Sequence, residues 1–587
     1  MELCRLWVLR GPNAWAACPV IEAGVDLSAW SGQPRQQCAR ARERLRAWLP
    51  SLENIEECTN PVLIFERVWL HLQILAGSVI HFSDARPAEP GNRQRVAVEY
   101  QEEPVGQACL HAALAICRAA WEDQLYPVVE EVARLRKLAD KRRLDPSTHV
   151  LVEAARARGI PVEHYNPEDG RYLLLGHGCR QRRTLAAETD DLSALARSTA
   201  MDKPLTKQLL REAGVPLLAG TWKVGIRHRV LVVEDRVVAV ARVESPDAAS
   251  SDISSATKFV DVTDVIHPET AACAVAAAQA LRLRVAGIDL VATDLARPLK
   301  EQGGGVVEVI TNPDLKLHMA PWNDHPRPVG AAIVASLFPY GCDGRIPIVA
   351  ITGGRAPSAG QCLAALLTDA GYRVGRASCD GVFLAGRKIN LESASTHEKA
   401  RAVVRNPVID VAVLESDAHD LMREGFGCDR CDVVLVTDSP EAEYLSNSVG
   451  HDAEEMDEAW TSLLHALRPD GKVVLNADDP PSFPSTLPSE DRIIWFAEMS
   501  NNARLSSHRA AGGSAVFLCG DSLVVARGVE EQRLPFGGRP VEREPREQLA
   551  LLAALAGAMS LNLCGDEKHP ATSTPENMAL ETALSAG

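Results

Sequence analysis

The chain has 587 residues, too many for one core, and its 46% apolar content can build the three or four domains that length implies. A formal net charge of −16 argues against a general binder of nucleic acid or of anionic membranes. There is no basic, apolar, cleavable start and no apolar run of about 18 residues, so the expectation is a cytoplasmic protein whose 15 cysteines are reduced and mostly buried.

Residues 1–160 alternate short apolar strands, LCRLWVL and VAVEY, with helices. WEDQLYPVVEEVARLRKLADKRR reads as the longest of these, its basic end suiting the helix dipole. THVLVEAARARGIPVEHY reads as helix, glycine stop and strand. In residues 161–343, RHRVLVVEDRVVAVARV is a hairpin turning at Glu234–Asp235, and HPETAACAVAAAQALRLRVAG is a helix with a glycine end. GIDLVATDL and GGGVVEVITNPDL are strands that each deliver a carboxylate, Asp289 and Glu308. Residues 344–565 alternate strand and helix, which implies a parallel sheet with helices on both faces. Residues 566–587 are polar and read as a disordered tail. The fold class is therefore α/β and multidomain.

Within the third segment, AITGGRAPSAG (Ala350–Gly360) lies between a strand and a helix, the setting of a phosphate loop. Such a loop needs a Gly-Lys-[Ser/Thr] ending, and here Ala356, Pro357 and Ser358 stand in those places. The lysine charge is missing, and Pro357 removes a backbone N–H and disfavours helical geometry just before it. The only CxxC, Cys428 to Cys431, has no second ligand pair, and no metal site is expected.

LRGPN, LLLGHGCRQRRTLAAETD, DKPLTKQLLREAGVP, AGIDLVATD, VVEVITNPDLKLHMAP and VLNADDP, in this order, resemble the cyanophycin synthetase family over roughly residues 1–560. That resemblance implies an N-terminal domain (1–160), an ATP-grasp domain (161–343) and a Mur-ligase-like central domain (344–565) without the C-terminal lobe. It also implies ATP-dependent amide ligation that builds an aspartate backbone bearing arginine.

Set against the family pattern, each site departs from it. GVPLLAGTWKVGIRHRVLVV leaves no room for the Lys-bearing strand and Gly-rich loop, with Lys223 and Arg227 the nearby cations, and residues around 245–257 form a second contraction. Asp289 and Glu308 match two metal carboxylates. Ile310 replaces the expected Asn, and Asn312 lies two positions on. The two carboxylates are expected to be inherited, solvated strand-end groups. Gly353, Gly354, Pro357 and Ser358 mark a relic phosphate loop, and Glu415 a relic metal-linked acid. VTDSPEAEYLS replaces an Asn and an Asp-His-Leu segment. In the N-terminal domain a zinc peptidase pattern is reduced to Glu66, Arg67 and His71, with Glu66 and His71 able to face one side of a helix. Arg180, Arg182 and Arg183 are candidate polymer contacts, with a solvated loop as the plain reading.

Sites departing from pattern in a chain with clean periodicity and intact caps lead to the expectation of a catalytically inactive homologue. ATP and Mg²⁺ binding would be lost, and the body would be kept as a partner subunit of an active cyanophycin synthetase, with possible contact to the polymer. Two readings stand beside it: an active ligase joining β-aspartyl-arginine dipeptides, and a polymer-binding or trimming module in residues 1–160.

Overall fold

The computed structural model describes residues 1–561 except 29, 31–34, 89–92, 166–169, 219–224, 245–257, 320–324, 392, 439–452, 480–486, 521 and 536–544. The connection around Lys223, the second contraction, most of VTDSPEAEYLS and the polar tail therefore lie outside the described residues. The chain forms two compact units, Met1–Arg142 with Ile346–Gly587, and Arg143–Arg345.

In the first unit, unbroken apolar strands give a sheet covered on both faces. Val349 and Ile351 of strand Ile348–Thr352 enter one core with Leu363, Leu366 and Leu552, while Ile348 and Ala350 enter the opposite core with Val403, Trp460 and Leu505. Val411/Val413 against Ala412/Leu414, and Val433/Leu435 against Val434/Val436, repeat the alternation. A strand buried on both sides carries no polar positions, which is why these segments read as continuous runs. The eleven-stranded sheet runs Arg387–Ile389, Gly381–Leu384, Val374–Ser378, Val411–Glu415, Ile348–Thr352, Cys431–Val436, Leu467–Asn476, Ile493–Ala497, Ser514–Cys519, Ser522–Arg527, Glu530–Pro535. Its centre is parallel, as expected, and antiparallel hairpins finish both edges.

The N-terminal part of this unit is a four-stranded antiparallel sheet packed on helices around Phe65, Trp69 and Leu110. The expected long helix is two: Glu103–Glu122 stops where Asp123 turns left-handed at φ 59°, and Val128–Arg142 starts after Pro127. The longest described helix is therefore Glu103–Glu122. LRGPN docks this part on the large sheet domain. Arg10 N donates to Glu424 O at 2.8 Å, and Phe426 N donates to Pro12 O at 2.8 Å. The approach requires Gly11, since a Cβ there would lie 2.1 Å from Phe426 O. Arg95 ties the same parts together, pairing with the buried Glu22 at 2.8 Å and with Glu458 at 2.5 Å.

The second unit holds a five-stranded antiparallel sheet in the order Lys258–Asp261, Arg236–Glu244, Ile226–Val233, Val285–Ala292, Gly305–Ile310. A small sheet, Val162–His164, Tyr172–Leu175, Arg182–Leu185 and Glu188–Thr189, completes it. The hairpin turns at Glu234, φ 57°, where expected. Helix Pro146–Ala157 packs in this unit, its Leu151 and Val152 sharing a core with Ile333 and Leu337 of Val329–Leu337. The helix Pro268–Ala280 ends at Leu281, with Arg282 left-handed at φ 54°, whereas Gly287, expected as its stop, lies inside strand Val285–Ala292. Among the described residues no helix is long and apolar enough to cross a membrane.

Candidate functional site

Cross-strand register brings the two carboxylates of the second unit together at the backbone, since Asp289 and Glu308 are paired residues of adjacent antiparallel strands. Their charged partners differ. Asp289 is completely buried, which overturns the expectation of a solvated group. Arg229 is its partner across strand Ile226–Val233, and Arg227 lies two residues along the same strand. Side chains two apart share a sheet face, so both guanidinium groups reach the carboxylate: Arg227 Nε and Arg229 Nη2 each lie 3.0 Å from Asp289 Oδ2. A carboxylate saturated by two guanidinium groups has little capacity left for a hard cation.

Glu308 is half-buried, with Lys203 Nζ at 3.5 Å. Asn312 is used elsewhere, its Oδ1 accepting from Ala187 N at 3.1 Å. The three groups therefore do not converge as a ligand set. His318 is buried nearby. Its ring nitrogens have no partner among the described residues, and burial with the Arg229 charge lowers its pKa to about 4.

In the first unit the strand, turn and helix of the loop are all present: Ile348–Thr352, then Gly353–Arg355, then helix Ala356–Asp369. Pro357 sits in the first turn of that helix, which begins one residue before it, at Ala356, where the proline was expected to disfavour helical geometry. The first N–H groups of a helix need no internal partner, which is why proline is tolerated there. Ser358 lies in the same turn. The space over the turn is taken by Asp438, at the end of the neighbouring parallel strand Cys431–Val436. Gly354 N donates to Asp438 Oδ1 at 2.6 Å, and Arg355 Nη1 pairs with Oδ2 at 2.5 Å. Thr437 Oγ1 accepts from Arg355 N at 3.2 Å. Gly353 is left-handed, φ 111°, and a Cβ on it would meet Thr437 Oγ1 at 2.4 Å and Asp438 Oδ1 at 2.5 Å.

Glu415 is buried at the end of the next strand. Burial raises its pKa, against the opposing pull of Ser378 and Arg376. Ser378 Oγ donates to it at 2.5 Å, and Arg376 pairs with it at 3.0 Å while also holding Asp380 at 3.0 Å. Asn476 of VLNADDP donates to Thr437 O at 2.9 Å and accepts from Asp478 N at 3.0 Å, a strand-end brace.

The remaining candidates stay apart. Glu66 accepts from Ser83 Oγ at 2.7 Å and His71 Nε2 is 3.0 Å from Ser51 Oγ, so the two have separate partners. Arg180 donates to Arg345 O at 3.0 Å, Arg183 to Gln181 Oε1 at 3.2 Å, and Arg182 is exposed. As consecutive strand residues, Arg182 and Arg183 face opposite ways. Cys428 and Cys431 are both buried, and burial pushes the Cys431 thiol well above its usual range.

Sequence reasoning missed Arg229, Arg376, Ser378 and Asp438. Arg229 had a signal, its two-residue spacing from Arg227. The others are joined to their partners only by strand order.

No protein-family model matches the chain. Its sequence is similar to that of a cyanophycin synthetase from Nostoc sp., 26% identical over 96% of this chain and 79% of the relative. A cyanophycin synthetase from Synechocystis sp. is 26% identical over 89% of this chain and 76% of the relative. Among solved structures, a bifunctional glutathione synthetase from Pasteurella multocida aligns with a TM-score of 0.30 and 17% identity, covering 40% of this chain and 50% of that one.

Proposed function

Starting from this chain's homology to the cyanophycin synthetases over most of its length, we propose that it is a non-catalytic homologue and a partner subunit of an active cyanophycin synthetase. One observation carries the reading: at three places where the family pattern calls for nucleotide or metal, charged groups of the chain itself fill the position. Two arginines saturate Asp289, Asp438 fills the turn before helix Ala356–Asp369, and Arg376 holds Glu415. The residues present do not fit ATP with Mg²⁺. There is no lysine in the phosphate turn, and the carboxylate that would take the cation is already neutralised. Phosphoryl transfer needs cations aimed at the developing negative charge, and among the described residues the cation at this turn, Arg355, is paired with Asp438.

The intact body supports a role in assembly. Both cores of the large sheet are filled, and the N-terminal part is bonded to that sheet through main-chain and ionic contacts. The test has two arms. The purified chain is given ATP, Mg²⁺, aspartate, arginine, β-aspartyl-arginine dipeptide and primer, and ADP release is followed. The tagged chain is also co-expressed with the synthetase of the same organism, and complexes are weighed by light scattering. No ADP and a complex of fixed ratio are expected. Turnover would replace this reading with an active dipeptide ligase, and a self-contained oligomer that ignores the synthetase would remove the partner role.

A further inference from the structure

The turn before helix Ala356–Asp369 still has the form of an anion cradle. The first amides of a helix lack internal acceptors and carry the positive end of the dipole, so they favour an anion. The chain supplies one. Thr352 and Val436 are paired residues at the ends of adjacent parallel strands, so residues 437–438 are carried directly over the turn. The Asp438 carboxylate accepts from Gly354 N at 2.6 Å and from Thr437 Oγ1 at 2.8 Å, and it pairs with Arg355 at 2.5 Å. The fit is close enough that Gly353 can have no side chain: its Cβ would fall 2.5 Å from the same Oδ1. Arg355 Nε remains buried without a partner among the described residues, so the cation at this turn is not fully used by the one carboxylate.

We propose that Asp438 is a tethered anion occupying the phosphate cradle, an internal ligand that holds the turn in its filled form and shuts out external phosphate. This rests on the reading that the turn no longer serves nucleotide. Two physical effects exclude a free anion. A group fixed on the adjacent strand competes as an intramolecular ligand, with an effective concentration in the millimolar range or above. Its negative charge also repels an incoming phosphate at contact distance. Removing the carboxylate leaves the Gly354 amide and Arg355 facing an empty cradle, which would then accept a small oxyanion.

The experiment uses the full chain, unchanged and as Asp438→Ala and Asp438→Asn, melted in increasing inorganic phosphate at constant ionic strength set by chloride. The unchanged chain is expected to melt at one temperature throughout. Asp438→Ala should melt several degrees lower without phosphate and recover saturably with it, chloride having no such effect. Asp438→Asn should gain a weaker phosphate response. A phosphate-dependent melt of the unchanged chain overturns the proposal, as does an Asp438→Ala protein whose melt is unaltered or is lowered beyond rescue by phosphate. Should neither variant fold, hydrogen exchange of the unchanged chain decides. The Gly354 and Arg355 amides should be protected without phosphate and unaltered by adding it, and protection that appears only with phosphate refutes the idea. ADP release by the unchanged chain would sink the proposed function, whereas only the phosphate response bears on Asp438, so the two failures are distinguishable.

Discussion

Replacing Asp289 with Asn tests whether this carboxylate is a structural counter-ion or an available cation ligand. Asp289 is fully buried between Arg227 and Arg229, whose side chains are 15% and 8% exposed. The amide preserves shape but leaves two guanidinium groups without a counter-charge. Removing one partner from a buried pair costs about 3–5 kcal/mol. For a unit the size of Arg143–Arg345, each kcal/mol is worth about 2–4 °C, so the melt of this unit should fall by roughly 6–20 °C. The two units need not unfold together, so the assay is hydrogen exchange against denaturant, read on strands Ile226–Val233 and Val285–Ala292. Replacing the whole cluster, with Asp289→Leu, Arg227→Met and Arg229→Met, should restore much of the loss, because a packed apolar cluster has no charge to desolvate. A loss below about 1 kcal/mol would refute the buried-pair reasoning. So would Mg²⁺ stabilising this unit in the unchanged chain but not in Asp289→Asn.

Gly11→Ala should weaken the docking of the N-terminal part by about 1–3 kcal/mol, because its Cβ would strike Phe426 O at 2.1 Å; limited proteolysis should then release fragments near residue 142. Arg95→Leu leaves the buried Glu22 with Arg5 and Trp15 and should cost about 2 kcal/mol, seen as an earlier first transition in a two-step melt. His228 and His318 are held neutral mainly by burial, each with a pKa lowered to about 4. A base whose folded pKa is depressed binds fewer protons folded than unfolded, so its contribution is present above the unfolded value, about 6.5, and is lost as pH falls towards the folded one. Amide protection in Arg143–Arg345, corrected for the intrinsic exchange rate at each pH, should therefore fall between about pH 6.5 and pH 4, and His228→Leu should flatten part of that dependence.

The sequence made the sheets legible because burial on two faces leaves a simple trace, continuous Val, Ile and Leu over a few residues. It misled where a local geometric event decided the outcome. The helix expected across residues 121–143 breaks because Asp123 adopts a left-handed conformation and Pro127 cannot donate. The helix after Pro268 ends at a left-handed Arg282, a residue that does not advertise a stop. At the sites, the acids Asp289 and Glu415 are legible from their strand ends. Their environments are not, because burial depends on which strand lies alongside. Arg229 is sixty residues before Asp289, at a separation the register alone converts into contact. Asp438 is remote from Gly354 for the same reason, and neither segment carries a mark that the two meet.

These hidden pairings have a common physical form. A buried carboxylate, or the free amides at the start of a helix, are costly without a partner, because a buried polar group must be paired. A stable fold without bound ligand therefore needs a charge of the right sign at each of these positions. In this chain Asp289 has two arginines, Glu415 has Arg376 and Ser378, and the amides before helix Ala356–Asp369 have Asp438. The signs match what each position required, cations at the acids and an anion at the amides. Undirected decay would leave such groups orphaned and the cores around them weakened, yet Val349, Ile351, Val413 and Leu435 beside the turn remain fully packed. Pairing of this kind joins the local chemistry to the proposed assembly role: under that proposal, the chain's own charges hold these loops in place.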